Sequence, residues 1–138
     1  MNKRIAVLLS GRGSNFQSIL TASQSGTLGG QVGIVISNRP GAGGLDIARE
    51  AAIQTALIDH QSYESREAFD ADLAGVLESQ SPDLVVLAGF MRILTPGFVS
   101  RFAGRLMNIH PSLLPLYPGL HTHQRALDAG DTHAGATV

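Results

Sequence analysis

Short unbroken apolar runs alternate along this chain with stretches in which apolar residues recur at helical intervals. Ile5 to Leu9 is such a run, closing in Ser10-Gly11-Arg12-Gly13-Ser14, and Phe16, Ile19 and Leu20 follow at helical spacing. The pattern predicts strand, glycine loop, helix. Val32 to Ile36 predicts a second strand ending at Ser37-Asn38-Arg39-Pro40-Gly41, and Leu45 to Ala52 a short helix. Thr55 to Ile58 predicts a brief third strand. Ser65 opens a helix with Glu67 near the capping-box offset and apolar Phe69, Leu73, Val76 and Leu77, and Ser81-Pro82-Asp83 breaks it. Leu84 to Ala88 is the fourth and most apolar strand, followed by a loop from Gly89 to Leu94. Pro96 suits the first turn of a helix through about Phe102, and Leu106 to Ile109 is a fifth strand. His121 to Leu127 predicts one more short helix, and Ala134 to Val138 the start of a strand.

Strands apolar on both faces, alternating with helices, predict a three-layer α/β fold around a mostly parallel, doubly wound sheet. At 138 residues and 43% hydrophobic content the chain can bury one core, so a single domain over residues 1–138 is expected. Ten basic against eleven acidic residues, net charge −1, give no general attraction for nucleic acid or a membrane surface. The absence of cysteine excludes disulfides, a thiolate nucleophile and a thiolate metal site. Five apolar residues after Met1-Asn2-Lys3-Arg4 are too few for a signal peptide or membrane span, so a cytoplasmic protein is expected.

Asn108 and His110 stand two residues apart where the fifth strand runs into Pro111-Ser112-Leu113-Leu114-Pro115. A strand's side-chain period of two puts them on one face, a hydrogen-bond donor beside a titratable base. Such a pair could supply the oxyanion donor and proton-transfer group that acyl transfer needs; a hydrogen-bonded structural histidine is the rival reading. Gly11-Arg12-Gly13-Ser14-Asn15 also carries two readings. Free amides at a helix start favour a phosphate, or the glycines make a tight turn with Ser14 or Asn15 as helix cap. The loop is neither the dinucleotide fingerprint, since Phe16 replaces its third glycine, nor a P-loop. The second strand ends without the acidic residue that binds an NAD ribose. In a doubly wound sheet the crevice lies where strand order reverses, so the Gly11–Asn15 and Gly89–Leu94 loops should flank one cleft, with Asn108 and His110 opening into it. His121-Thr122-His123 lacks a third ligand at metal-site spacing, so no metal is expected. Arg66 is ambiguous between gripping a carboxylate and simple solvation, and Arg92 in the cleft loop is the better placed cation.

Together, Ser10-Gly11-Arg12-Gly13-Ser14-Asn15, Leu87-Ala88-Gly89-Phe90-Met91-Arg92-Ile93-Leu94 and Asn108-Ile109-His110-Pro111-Ser112-Leu113-Leu114-Pro115, continuing through Tyr117-Pro118-Gly119-Leu120-His121-Thr122-His123, closely resemble the phosphoribosylglycinamide formyltransferases. The likeness runs from about Lys3 to Val138. It implies a Rossmann-like fold and transfer of a formyl group from 10-formyltetrahydrofolate to the amine of glycinamide ribonucleotide, in purine biosynthesis, without a metal. It implies that Gly13, Ser14 and Asn15 bind the substrate phosphate. Arg66, Met91, Arg92, Ile93 and Leu94 would contact the folate, Asn108 the formyl oxygen, and His110 would be the catalytic histidine. The resembling family continues past the strand at His133–Val138 into further strands, a helix and an aspartate that tunes the histidine. The expectation is therefore an N-terminal portion of a longer enzyme, with little turnover, retained phosphate binding and self-association through an uncovered edge. A non-catalytic nucleotide- or NADP-binding module, with Arg39 meeting a 2′-phosphate, and a formyltetrahydrofolate hydrolase are the competing functions. A cis bond at Leu114-Pro115 is also entertained.

Overall fold

A computed structural model describes residues 3–26 and 28–109 of the chain. Its elements are β1 (Lys3–Leu9), α1 (Ser14–Gln24), β2 (Gly30–Ser37), α2 (Gly43–Glu50), β3 (Gln54–Leu57), a 3₁₀ turn (His60–Ser62), α3 (Arg66–Ser79), β4 (Leu84–Ala88), α4 (Pro96–Arg101) and β5 (Leu106–Ile109). The chain forms two compact units, Met1–Met107 and Asn108–Val138. Of the second, only Asn108 and Ile109 are described. The expected helix at His121–Leu127, the strand at Ala134–Val138 and the Leu114-Pro115 bond lie outside the described residues.

The strand order is β3-β2-β1-β4-β5, and β1 runs parallel to both β2 and β4, as β2 does to β3. Val7 sits at the middle of the sheet, paired with Val35 on one side and Val86 on the other. The β1–β2 ladder shifts register between Ile5, opposite Val32, and Ala6, opposite Ile34, leaving Gly33 as the extra residue. Glycine suits such a bulge. Beyond β4, the Val85 N–H donates to the Arg105 carbonyl at 2.7 Å, which brings β5 alongside.

Strand periodicity sorts the apolar residues into two layers. Ala6 and Leu8, Ile34 and Ile36, Val85 and Leu87 form one core with Phe69, Leu73 and Leu77 of α3 and Phe98 of α4. The alternating residues Val7, Leu9, Val35 and Val86 are buried on the opposite face, where α2 lies so close that a Cβ on Gly44 would come within 2.4 Å of Leu9 Cδ2. Helix α1 adds buried Phe16 and Leu20, one helical turn apart, as the spacing predicts. The expected three-layer, doubly wound sheet is thus the observed one.

One local expectation needs correction and two are sharpened. Helix α2 occupies Gly43–Glu50, not Leu45–Ala52: Ala52 takes φ 60°, with Ile53 N–H bonded to the Ala48 carbonyl at 2.9 Å and Ala52 N–H to Arg49 at 3.0 Å. That is a Schellman ending with alanine in the place usually held by glycine, so composition carries no stop signal. Ser65 does cap α3, its hydroxyl accepting from Ala68 N–H at 3.0 Å, but Glu67 is the second helical residue, one short of the capping-box position. Helix α4 ends at Arg101, with Phe102 as its cap.

Candidate active site

Chain order 1-2-3 runs outward on one side of β1 and 4-5 on the other, so the carboxyl ends of β1 and β4 flank the reversal point where α/β sheets bind ligands. The loop after β1 is shaped by glycine. Gly13 has φ 81° and caps α1 from the left-handed region, and a Cβ there would stand 2.7 Å from the Gly44 Cα. Both facts require glycine: an L side chain would be strained and would collide with backbone. The Gly44 N–H donates to the Gly11 carbonyl at 3.1 Å, so α2 buttresses the loop from behind.

Ser14 and Asn15 are exposed as the first two residues of α1, and no side chain caps this helix start. The cap reading of Ser14 or Asn15 is therefore wrong, because the cap position belongs to Gly13. Amide groups in the first turn of a helix have no intrahelical acceptor and, with the helix dipole, favour an anion.

The loop after β4 is held at both ends. Gly89, with φ 74°, turns the chain out of the strand, and its carbonyl accepts from Ser10 N–H at 3.1 Å. The Met91 N–H donates to Ser10 Oγ at 2.7 Å. At the far end Thr95 N–H donates to Oδ2 of Asp70, a carboxylate only 4% exposed on α3, at 2.7 Å. Thr95 in turn caps α4 by accepting from Phe98 N–H at 3.3 Å. Between these anchors Met91 is 50% and Ile93 74% exposed, an apolar surface on a tethered loop. Arg92 lies half-buried with its guanidinium carbon 4.5 Å above the Phe69 ring, a cation–π contact that fixes its stem.

The glycine-loop residues Gly13, Ser14 and Asn15 and the loop residues Met91, Arg92, Ile93 and Leu94 therefore follow adjacent parallel strands, as the expected topology requires. Arg66, the first residue of α3, is exposed, and its side chain makes no hydrogen bond or ion pair among the described residues. Asn108 is exposed on β5 and opens the second compact unit. His110, His121 and His123 lie outside the described residues. No group of three or more histidine, cysteine or acidic side chains is placed to hold a metal among the described residues.

The side chain that joins the two loops is one the sequence pattern does not single out. Ser10 reads there as the head of the glycine loop with no role of its own, yet its buried hydroxyl donates to Asn38 Oδ1 at 2.5 Å while accepting from Met91. The signal that could have found it is a short polar residue closing each of two apolar strands, Ser10 after β1 and Asn38 after β2.

Residues 3–138 match the family model described as formyl transferase. The chain belongs to the formyl transferase family. It is 53% identical over 134 residues to phosphoribosylglycinamide formyltransferase of Escherichia coli strain K12, covering 97% of this chain and 63% of that protein. It is 47% identical over 135 residues to the human trifunctional purine biosynthetic protein adenosine-3, covering 98% of this chain and 13% of that one. Among solved structures, phosphoribosylglycinamide formyltransferase from Coxiella burnetii superposes with a TM-score of 0.93 at 48% identity, over 99% of this chain and 64% of that one. Glycinamide ribonucleotide transformylase 1 from Symbiobacterium toebii gives 0.94 at 46% identity, again over 99% and 64%. The chain thus spans somewhat under two thirds of the length of these single-function relatives.

Proposed function

We propose that this formyl transferase chain carries the substrate cleft for moving a formyl group from 10-formyltetrahydrofolate to the amine of glycinamide ribonucleotide, a step of purine biosynthesis. The observation that carries the reading is the pairing of an uncapped, glycine-built helix start after β1 with a tethered apolar loop after β4, at the reversal point of the sheet. The first has the donors a ribonucleotide phosphate needs, and Gly13, Ser14 and Asn15 take that role. The second offers exposed Met91 and Ile93 as apolar surface for a pterin, with Leu94 packed on the core beneath, Arg92 beside them and Arg66 for the folate carboxylates.

Asn108 and His110 belong to the same reading as the reacting-centre pair. The ribonucleotide amine attacks the formyl carbon, Asn108 donates to the oxyanion of the tetrahedral intermediate, and His110 moves a proton as the folate nitrogen leaves. This chemistry asks no metal of the chain. A cytoplasmic location fits the reading, and no described helix is long and apolar enough to cross a membrane. Self-association fits it too: β5 is an outer strand of the described sheet and carries exposed Met107. A stable monomer by light scattering at high concentration would count against that association.

Isotope-labelled formyl groups test the reaction. Label supplied on 10-formyltetrahydrofolate is expected to appear on the ribonucleotide, at a rate lowered roughly 10²–10³-fold in Asn108→Ala. Formyl release that does not need the ribonucleotide would put a hydrolase in its place.

A further inference from the structure

Ser10 opens the glycine loop after β1, but its side chain contacts two other segments, those after β2 and β4. Its hydroxyl has one proton and two lone pairs. The proton goes to Asn38 Oδ1 and one lone pair takes the Met91 N–H. Asn38, fully buried after β2, is oriented in turn by the 3₁₀ turn: His60 Nδ1 stands 3.1 Å from the Asn38 carbonyl and 3.4 Å from its Nδ2. Nδ1 serves one of these contacts at a time, accepting from the Asn38 amide nitrogen in one tautomer or donating to the carbonyl in the other. A line of polar groups therefore crosses the carboxyl ends of β2, β1 and β4, and it terminates on a backbone amide of the loop assigned to folate.

We propose that Asn38 and Ser10 form a positioning relay for the Met91–Leu94 loop, in which Asn38 acts on the folate subsite only through the Ser10 hydroxyl. This rests on the reading of that loop as the folate subsite. Asn38 Oδ1 takes the one hydroxyl proton and so restricts rotation of the Ser10 hydroxyl, which keeps a lone pair aimed at the Met91 N–H. Asn38 touches neither Met91 nor the exposed loop residues in any described hydrogen bond, so a substitution there reaches the loop through Ser10.

The test is a double-mutant cycle on the 138-residue chain with Ser10→Ala, Asn38→Ala and both together. Two readouts are taken: hydrogen exchange at the Met91 amide, and affinity for 5-formyltetrahydrofolate as the folate probe. Ser10→Ala is expected to lose Met91 protection and to weaken the probe about tenfold. Asn38→Ala should produce part of that loss, and none further once Ser10 is alanine. Ser10→Thr, which keeps the hydroxyl, should restore Met91 protection. Additive effects of the two substitutions, or an unchanged Met91 amide in Ser10→Ala, would overturn the relay. A relay visible at Met91 in a chain that does not bind the probe would instead overturn the folate assignment, and with it the relay's functional half. If Ser10→Ala fails to fold, Asn38→Asp decides: it keeps the acceptor oxygen, so Met91 protection should survive, and its loss would overturn the proposal.

Discussion

At the residue scale, the glycine loop is legible in the sequence and the serine before it is not. Gly13 stands out by residue type, and its φ of 81°, with the Gly44 backbone 2.7 Å from where a Cβ would lie, explains why no other residue serves. Gly13→Ala is expected to cost about 1–3 kcal/mol by forcing a side chain into left-handed backbone against Gly44. It should also weaken ribonucleotide binding at least tenfold by displacing the first amides of α1. Chemical denaturation and titration of the variant measure the two separately. The role of Ser10 is hard to read because it comes from partners 28 and 81 residues away; locally it is marked only as a polar residue closing an apolar strand. A second residue-scale effect is electrostatic. Tyr63 donates a short hydrogen bond to Asp72, and that bond, burial and the nearby carboxylate charge together hold its phenol above the usual value of 10.0. The folded state therefore keeps the proton longer than the unfolded chain. The resulting stabilisation is complete below pH of about 10 and is lost as pH rises through the raised value. Ultraviolet titration should show one tyrosine ionising late in the native protein, and Asp72→Asn should move it back toward its ordinary range.

At the element scale, strand and helix order can be read throughout the described residues because each element repeats one apolar period. The β4 and β5 boundaries, Leu84–Ala88 and Leu106–Ile109, agree with the expected ones to the residue. The ends that escape such reading are set by backbone and not by side chains. The α2 stop lies in an alanine forced to φ 60°, and the 3₁₀ turn at His60–Ser62 is closed by Asp59 accepting from Gln61 N–H at 3.0 Å, three residues that carry no periodicity. The loop after β4 can be named from the sequence, but not its tether. Asp70 sits among Phe69 and Leu73 on the buried side of α3, where a carboxylate reads as misplaced until Thr95 N–H is found on it. Asp70→Ala leaves that amide without its acceptor and is expected to cost about 1–3 kcal/mol in unfolding free energy. Faster hydrogen exchange at Thr95 and in the first turn of α4 should accompany it. Asp70→Asn keeps an acceptor oxygen and should retain most of both; equal losses in the two variants would mean that the carboxylate charge, not the hydrogen bond, is what matters.

At the scale of the whole molecule, the alternation of elements is enough to place the cleft. It implies a doubly wound sheet, and the observed order β3-β2-β1-β4-β5 puts the glycine loop and the Gly89–Leu94 loop after neighbouring strands. The family follows from motifs spread over residues 3–138. Asn108 and His110 are the strongest chemical signal in the sequence, and their role in formyl transfer stands as a proposal tied to that family. Equilibrium titration of the 138-residue chain with glycinamide ribonucleotide, run beside NADP, tests the central claim most directly. Saturable ribonucleotide binding, competed by inorganic phosphate and weakened at least about tenfold (~1.4 kcal/mol) in Gly13→Ala, is the predicted result. Saturable NADP binding with no response to the ribonucleotide would contradict it.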